Sequence, residues 1–274
     1  MALSPTVTLN NGVQIPQLGF GVFQVSNTDI VPSVQKALEV GYRHIDTAAA
    51  YGNEEGVGKA VANSGIAREE LFVTTKLWNS DQGHDSTLAA FDQSLARLGL
   101  DQVDLYLIHW PAPENKTYVD SWKAMEEVYA QGRARAIGVS NFQPNHLHHL
   151  VRDTTVMPAV NQVELHPTFT QSDLVSVHRE VGVHTESWSP LGQAADLDSA
   201  TVTEIASRLG TAPAQVVIRW HLQLGHIVIP KSVTPSRIES NFDVFGFELT
   251  DADVTAISAL DSGNRIGPHP DTLN

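Results

Sequence analysis

The sequence predicts an α/β chain folded as a (β/α)8 TIM barrel, with an N-terminal β-hairpin and an extra C-terminal helix. Three observations predict it. Short strand-like runs recur at residues 18–22, 42–46, 71–77, 103–109, 134–139, 159–164, 183–188 and 226–230. Amphipathic segments separate most of these runs. At 274 residues the chain slightly exceeds the roughly 250 typical of an eight-fold barrel.

The elements follow in order. Residues 7–15 alternate Val7 and Leu9, turn at Asn11-Gly12, and resume with Val13 and Ile15, the pattern of a hairpin. Residues 86–98 place Leu88, Phe91, Leu95 and Leu98 at helical spacing, closed by Gly99. Other helical segments end before Gly41, Gly65, Gly132, Gly182 and Gly225, and proline opens two of the helical segments, at Pro144 and Pro213. Thr250-Asp251-Ala252-Asp253 starts the extra helix, carrying Val254, Ile257 and Leu260. The tail, residues 263–274, holds Pro268 and Pro270 and reads as loop. The competing architecture, an open doubly wound sheet, usually carries a glycine-rich turn after its first strand. Here Gly19-Phe20-Gly21 lacks the third glycine.

Composition bounds the rest. No shift marks a linker, so residues 1–274 are expected to form one domain. A net charge of -14 argues against nucleic acid or an anionic membrane as partner. No run is long and apolar enough to span a bilayer, and no export signal is legible, so the cytoplasm is expected. A monomer is also expected. Cysteine is absent, which rules out disulfides, thiolate metal sites and a cysteine nucleophile.

In a barrel, catalytic groups sit at the C-terminal ends of the strands. Asp46, Lys76 and His109 end the second, third and fourth runs, and Tyr51 follows Asp46 in an alanine-rich loop. Any one alone would be an ordinary cap or packed residue. Together they make a coherent proton donor. An ammonium beside a phenol favours the phenolate, so Lys76 is expected to lower the pKa of Tyr51. Asp46 would hold Lys76 charged, and His109 would orient a carbonyl oxygen. Donating a proton to an alkoxide implies carbonyl reduction, which requires a separate hydride source.

Residues 229–237 follow the eighth run and open a helix, with Lys231 and Arg237 bracketing Ser232, Thr234 and Ser236. Cations and hydroxyls at a helix start suit a phosphate monoester.

The chain resembles the aldo-keto reductases over essentially its whole length. The resemblance rests on Gly41-Tyr42-Arg43-His44-Ile45-Asp46-Thr47-Ala48 with Tyr51-Gly52-Asn53-Glu54, then Thr75-Lys76-Leu77-Trp78 and Leu105-Tyr106-Leu107-Ile108-His109-Trp110. Gly138-Val139-Ser140-Asn141-Phe142 and Ile229-Pro230-Lys231-Ser232 complete it. It is most similar to the bacterial branch containing 2,5-diketo-D-gluconate reductases and related NADPH-dependent carbonyl reductases. The resemblance implies a tetrad of Asp46, Tyr51, Lys76 and His109, with Tyr51 as general acid. It implies that Ser140, Asn141 and Gln162 bind the nicotinamide carboxamide, and that Ser189, Leu191 and Gly192 bind the pyrophosphate. Lys231, Ser232, Val233, Thr234 and Arg237 would contact the adenosine 2′-phosphate of NADPH, with Glu239 and Asn241 near the adenine.

Two positions depart from the common pattern. Trp188 stands where many relatives stack tyrosine on the nicotinamide, and Phe23 where many carry tryptophan in the substrate pocket. Phe23, Trp78 and Trp110, with Tyr51 and His109, would line a cleft for a small carbonyl substrate. The short loop at residues 111–121 and a tail without a long insertion suggest an open, permissive site. Where the tail and His269 lie is not legible. Two other functions compete: a NADP(H)-binding regulatory or sensor module with little turnover, and metal-assisted hydrolysis. The second lacks support, because the twelve histidines form no evident strand-end cluster with carboxylates.

Overall fold

A computed structural model describes residues 3–274. The barrel strands are β3 (Phe20–Gly21), β4 (His44–Asp46), β5 (Phe72–Leu77), β6 (Val103–Ile108), β7 (Ala134–Ser140), β8 (Val160–Glu164), β9 (His184–Trp188) and β10 (Ile227–Val228). Each is parallel to its neighbour in chain order. The ring closes where Leu18 bridges Val228, with Val228 N donating to Gln17 O and Gly19 N to Val228 O, both at 2.9 Å. All eight predicted runs contain a strand. The first and last shrink to two residues each, because the backbone at that seam makes only a few ladder bonds.

The hairpin pairs β1 (Thr6–Thr8) with β2 (Gln14–Pro16), Val7 facing Ile15. Its turn requires Gly12 at φ 85°, which a side chain would strain. The hairpin plugs the floor of the barrel. Leu9 and Ile15 pack on Phe72, Leu105, Ala136, Val160 and Ile227, and Asn10 bonds the carbonyls of Pro158 and Gly182. Full burial of Ile15 stabilises the plug by roughly 1.5–3 kcal/mol.

The outer layer is built by α1 (Ile30–Val40), α2 (Glu54–Ala62), α3 (His84–Leu98), α4 (Tyr118–Ala130), α5 (Pro144–Asp153), α6 (Ser172–Val181), α7 (Ala200–Leu209), α8 (Pro213–Gln223) and α9 (Pro235–Phe242). The predicted extra helix is α10 (Asp251–Ser258), capped by the Thr250 hydroxyl on Asp253 N. One connection is richer than expected. Between β9 and β10 lie two helices, α7 and α8, because Gly210 at φ 66° ends the first and Pro213 starts the second.

The tail returns over the C-terminal rim of the barrel. Ile266 N and Gly267 N donate to the Glu164 carboxylate at 2.6 and 2.8 Å, and Asp271 lies 3.3 Å from His146. A Cβ on Gly267 would fall 2.5 Å from the Trp188 ring, so a side chain there would have to displace that ring. The position of the tail, which the sequence leaves open, is thus set by a buried carboxylate that holds it at the rim. No described helix is long and apolar enough to cross a membrane.

Candidate active site

Backbone geometry brings the four strand-end groups together. Asp46 ends β4 and pairs with Thr74 of β5, two residues before Lys76. His109 follows β6, its N–H bonded to Leu77 O at 3.1 Å. Tyr51 ends a single turn of 3-10 helix, Ala49–Tyr51, whose loop is clamped by Asn53. The Asn53 amide donates to Val22 O and accepts from the Thr47 hydroxyl.

Lys76 is fully buried, and its Nζ donates to Asp46 Oδ1 at 2.6 Å, Thr47 O at 2.8 Å and the Tyr51 hydroxyl at 3.4 Å. Burial alone would lower its pKa, but the Asp46 carboxylate and Tyr51 raise it further, so it stays an ammonium. Burial also lifts Tyr51 above the ordinary phenol value, with Lys76 pulling the other way. This corrects the expectation of a lowered phenol. The ammonium acts as predicted, but the desolvation of a buried ring outweighs it. Burial, with Lys76 nearby, holds His109 well below the usual imidazole range, so it is neutral and offers one N–H.

A hydrogen-bonded series runs from this group across the rim. Gln162 Nε2 donates to Asp46 Oδ2 at 2.8 Å. The Ser140 hydroxyl donates to Gln162 O at 2.7 Å, and Asn141 Nδ2 donates to Ser140 Oγ and His109 O. Trp188 Nε1 donates to Asn141 Oδ1 at 2.9 Å. The predicted carboxamide set and stacking ring are thus wired to the tetrad. Ser189 and Leu191 follow directly, half-buried, with Ser189 at φ 48° and Gly192 at φ 56° against Asp196. Gln24, Ala112 and Asn141 are also left-handed in rim loops, each a local strain of about 1 kcal/mol or more.

The aromatic residues form a wall. Phe23 lies 5.0 Å from Tyr51, Trp78 5.2 Å from His109, and Trp110 6.4 Å from Trp188, centroid to centroid. Phe23 is 54% exposed, an uncovered ring beside the phenol. At the far side, Lys231, Val233, Thr234 and Arg237 are exposed and Ser232 half-buried around the start of α9. Among the described residues neither Lys231 nor Arg237 makes an ion pair, whereas Glu239 lies 3.4 Å from Lys36 and Asn241 is buried.

Sequence reasoning missed several groups. Glu186 of β9 is fully buried among His44, Asp46 and Gln162. His166 sits between Asp196, at 2.9 Å, and Glu164, at 3.2 Å. Histidines do therefore meet carboxylates inside the strand ends, contrary to expectation, because inward parity brings together residues remote in sequence. Donor atoms of His44, Asp46 and Glu186 lie within 4.8 Å of one another, but Asp46 is already bonded to Lys76. The signal was available: His184, Glu186 and Trp188 alternate toward one face of β9.

A buried carboxylate–ammonium–phenol series beside a neutral imidazole, at the C-terminal rim of a closed parallel barrel, defines an α/β barrel protein with titratable groups converging at its rim. The chain belongs to the Aldo/keto reductase family, whose profile matches residues 17–262. It is 58% identical to an aldo-keto reductase of Mycolicibacterium smegmatis over 99% of both chains. It is 51% identical to methylglyoxal reductase DkgA of Escherichia coli K12, covering 99% of this chain and 98% of that one. The solved structure of Gox0644, a mutant in complex with NADPH, superimposes with a TM-score of 0.96 at 45% identity over 100% of both chains.

Proposed function

We propose that this protein reduces small aldehydes and ketones with NADPH, reactive dicarbonyls such as methylglyoxal foremost, with Tyr51 as the proton donor. The observation that carries the reading is Lys76 Nζ lying between Asp46, at 2.6 Å, and the Tyr51 hydroxyl, at 3.4 Å. That contact uses a lone pair on the phenol oxygen and leaves its proton free to give outward. Burial keeps Tyr51 protonated at neutral pH, the form a donor needs, while Lys76 eases the phenolate left behind. His109, neutral, offers an N–H to the carbonyl oxygen on the other side.

The residues present fit the cofactor. Two exposed cations without ion pairs among the described residues, around the start of α9 in a chain of net charge -14, suit a phosphate, and the amides of Asn141 and Gln162 suit a carboxamide. When bound, the reduced nicotinamide supplies the hydride. Lys231, Ser232 and Arg237 would hold the 2′-phosphate, Ser189 and Gly192 the pyrophosphate, and Trp188 the ring face. All four tetrad groups come from one chain, so a monomer is catalytically complete.

The test is NADPH consumption with methylglyoxal and a panel of simple aldehydes, for the parent and Tyr51→Phe. Turnover in the parent and a loss of about a hundredfold or more in the variant are expected. NADPH should still quench the fluorescence of both. Tight NADPH binding with negligible turnover across the panel would instead favour the regulatory-module reading.

A further inference from the structure

Below the Asp46–Lys76 pair, the barrel interior holds a second carboxyl. Glu186 pairs in register with Gln162 and is fully buried, yet neither carboxyl oxygen has a hydrogen-bond partner within ordinary reach. The groups that face it can be named element by element. From β4 come His44, with Nε2 at 3.8 Å, and Asp46; from β5, Lys76; from β8, the Gln162 amide. Tyr51 feels it from the loop above, and β10 offers only Ile227 and Val228. His44 cannot supply a charge. Burial pulls it down to about 3, and its Nε2 is bonded to the Thr74 hydroxyl at 3.1 Å.

One buried ammonium thus serves two buried carboxyls, and it is committed to Asp46 at 2.6 Å. Two carboxyls in one dry site cannot both ionise cheaply against a single cation. We infer that Glu186 is a positioning residue for the proton donor: it is kept as a neutral carboxylic acid at neutral pH, and its ionisation adds a charge that weakens Tyr51 as an acid. The inference rests on the reading of Tyr51 as that donor.

The electrostatics agree with the geometry. Burial, then the Asp46 carboxylate, push Glu186 up to about 8, against a weaker opposite pull from the nearby Gln162 amide and from Lys76. An ionised Glu186 in turn raises both Tyr51 and Lys76. Burial raises Asp46 as well, but it alone of the two carboxyls is hydrogen-bonded to Lys76 and Gln162, which favour its ionised form. Below the Glu186 step the set is therefore balanced, with Asp46 negative, Lys76 positive and Glu186 neutral. Above it the set is net negative, and a phenolate forming at Tyr51 meets an extra like charge.

The experiment pairs kinetics with spectroscopy on the parent and Glu186→Gln. In the parent, kcat for reduction should fall about threefold as pH rises through the Glu186 step, a Brønsted response to a weaker acid. The glutamine variant should lack that step, so its kcat relative to the parent rises with pH. Infrared difference spectra of the cofactor-free parent should show a protonated-carboxyl stretch that titrates near 8 and is missing in the variant. A step at the same pH in the variant, or no such band in the parent at neutral pH, overturns the inference. A parent with the band that turns over no carbonyl refutes the reductase reading and the catalytic half of this one. A parent that turns over without the band refutes this inference alone. If the variant does not fold, the titration of the parent carries the test.

Discussion

Replacing Asp46 by asparagine tests the charge arrangement beneath Tyr51. Removing one partner of a buried ion pair commonly costs about 3–5 kcal/mol, because the other charge is left stranded. Here Lys76 has a second carboxyl in reserve. Holding Glu186 protonated in the folded protein, when its ordinary value is 4.5, costs about 1.36 kcal/mol per unit up to neutrality, on the order of 3 kcal/mol. Once Asp46 is neutral, Glu186 can ionise and take over as counter-ion, which relieves that cost. Asp46→Asn alone should therefore destabilise by only about 1 kcal/mol at neutral pH, whereas in a Glu186→Gln background the same change should cost the full 3–5 kcal/mol or so. Urea unfolding of the four proteins, with equal m-values, measures the cycle. A coupling of on the order of 3 kcal/mol is expected. Strict additivity, within about 0.5 kcal/mol, would refute the shared-cation argument.

Two further outcomes are expected. Arg237→Ala should weaken NADPH binding about tenfold, the lower end for a charge-assisted bond at an exposed helix start, and leave NADH nearly unchanged. Calorimetric titration of both nucleotides checks it, and equal weakening would remove the assigned 2′-phosphate role. The second concerns His166. Burial alone would lower it, but Asp196 and Glu164 together lift it from 6.5 to about 9. A folded value above the unfolded one gives stability that is full below the unfolded pKa and is lost as pH rises through the folded one. The contribution, on the order of 3 kcal/mol, should disappear on approaching pH 9, and the thermal midpoint with it. A His166→Gln variant whose midpoint falls just as steeply over that interval would contradict the assignment.

Local chemistry made much of this molecule legible. Strand ends at Asp46, Lys76 and His109 could be read because short apolar runs stop on ionisable residues, and the hairpin because Asn11-Gly12 interrupts an alternating pattern. What stayed hidden depends on depth and on distant pairing. The Tyr51 phenol was misjudged because a neighbouring ammonium shows in the sequence and the extent of burial does not. Glu186 stands 142 positions from His44 and 140 from Asp46, and the closed ring sets them side by side. The tail lacks periodicity, so nothing before folding reveals that Glu164 will grip it. The division of the last crossover into α7 and α8 rests on Gly210 and Pro213 alone, because the helical patterns on either side abut.

The series from Trp188 through Asn141, Ser140 and Gln162 to Asp46 has an evolutionary corollary. On the proposed reading, every residue that would read the redox end of the nucleotide would also brace the acid, so drift there would be penalised twice. Lys231 and Arg237, out on α9, share no hydrogen bond with that series. On that reading, substitutions at the adenosine end would change the choice of dinucleotide without disturbing the hydrogen bonds around the acid.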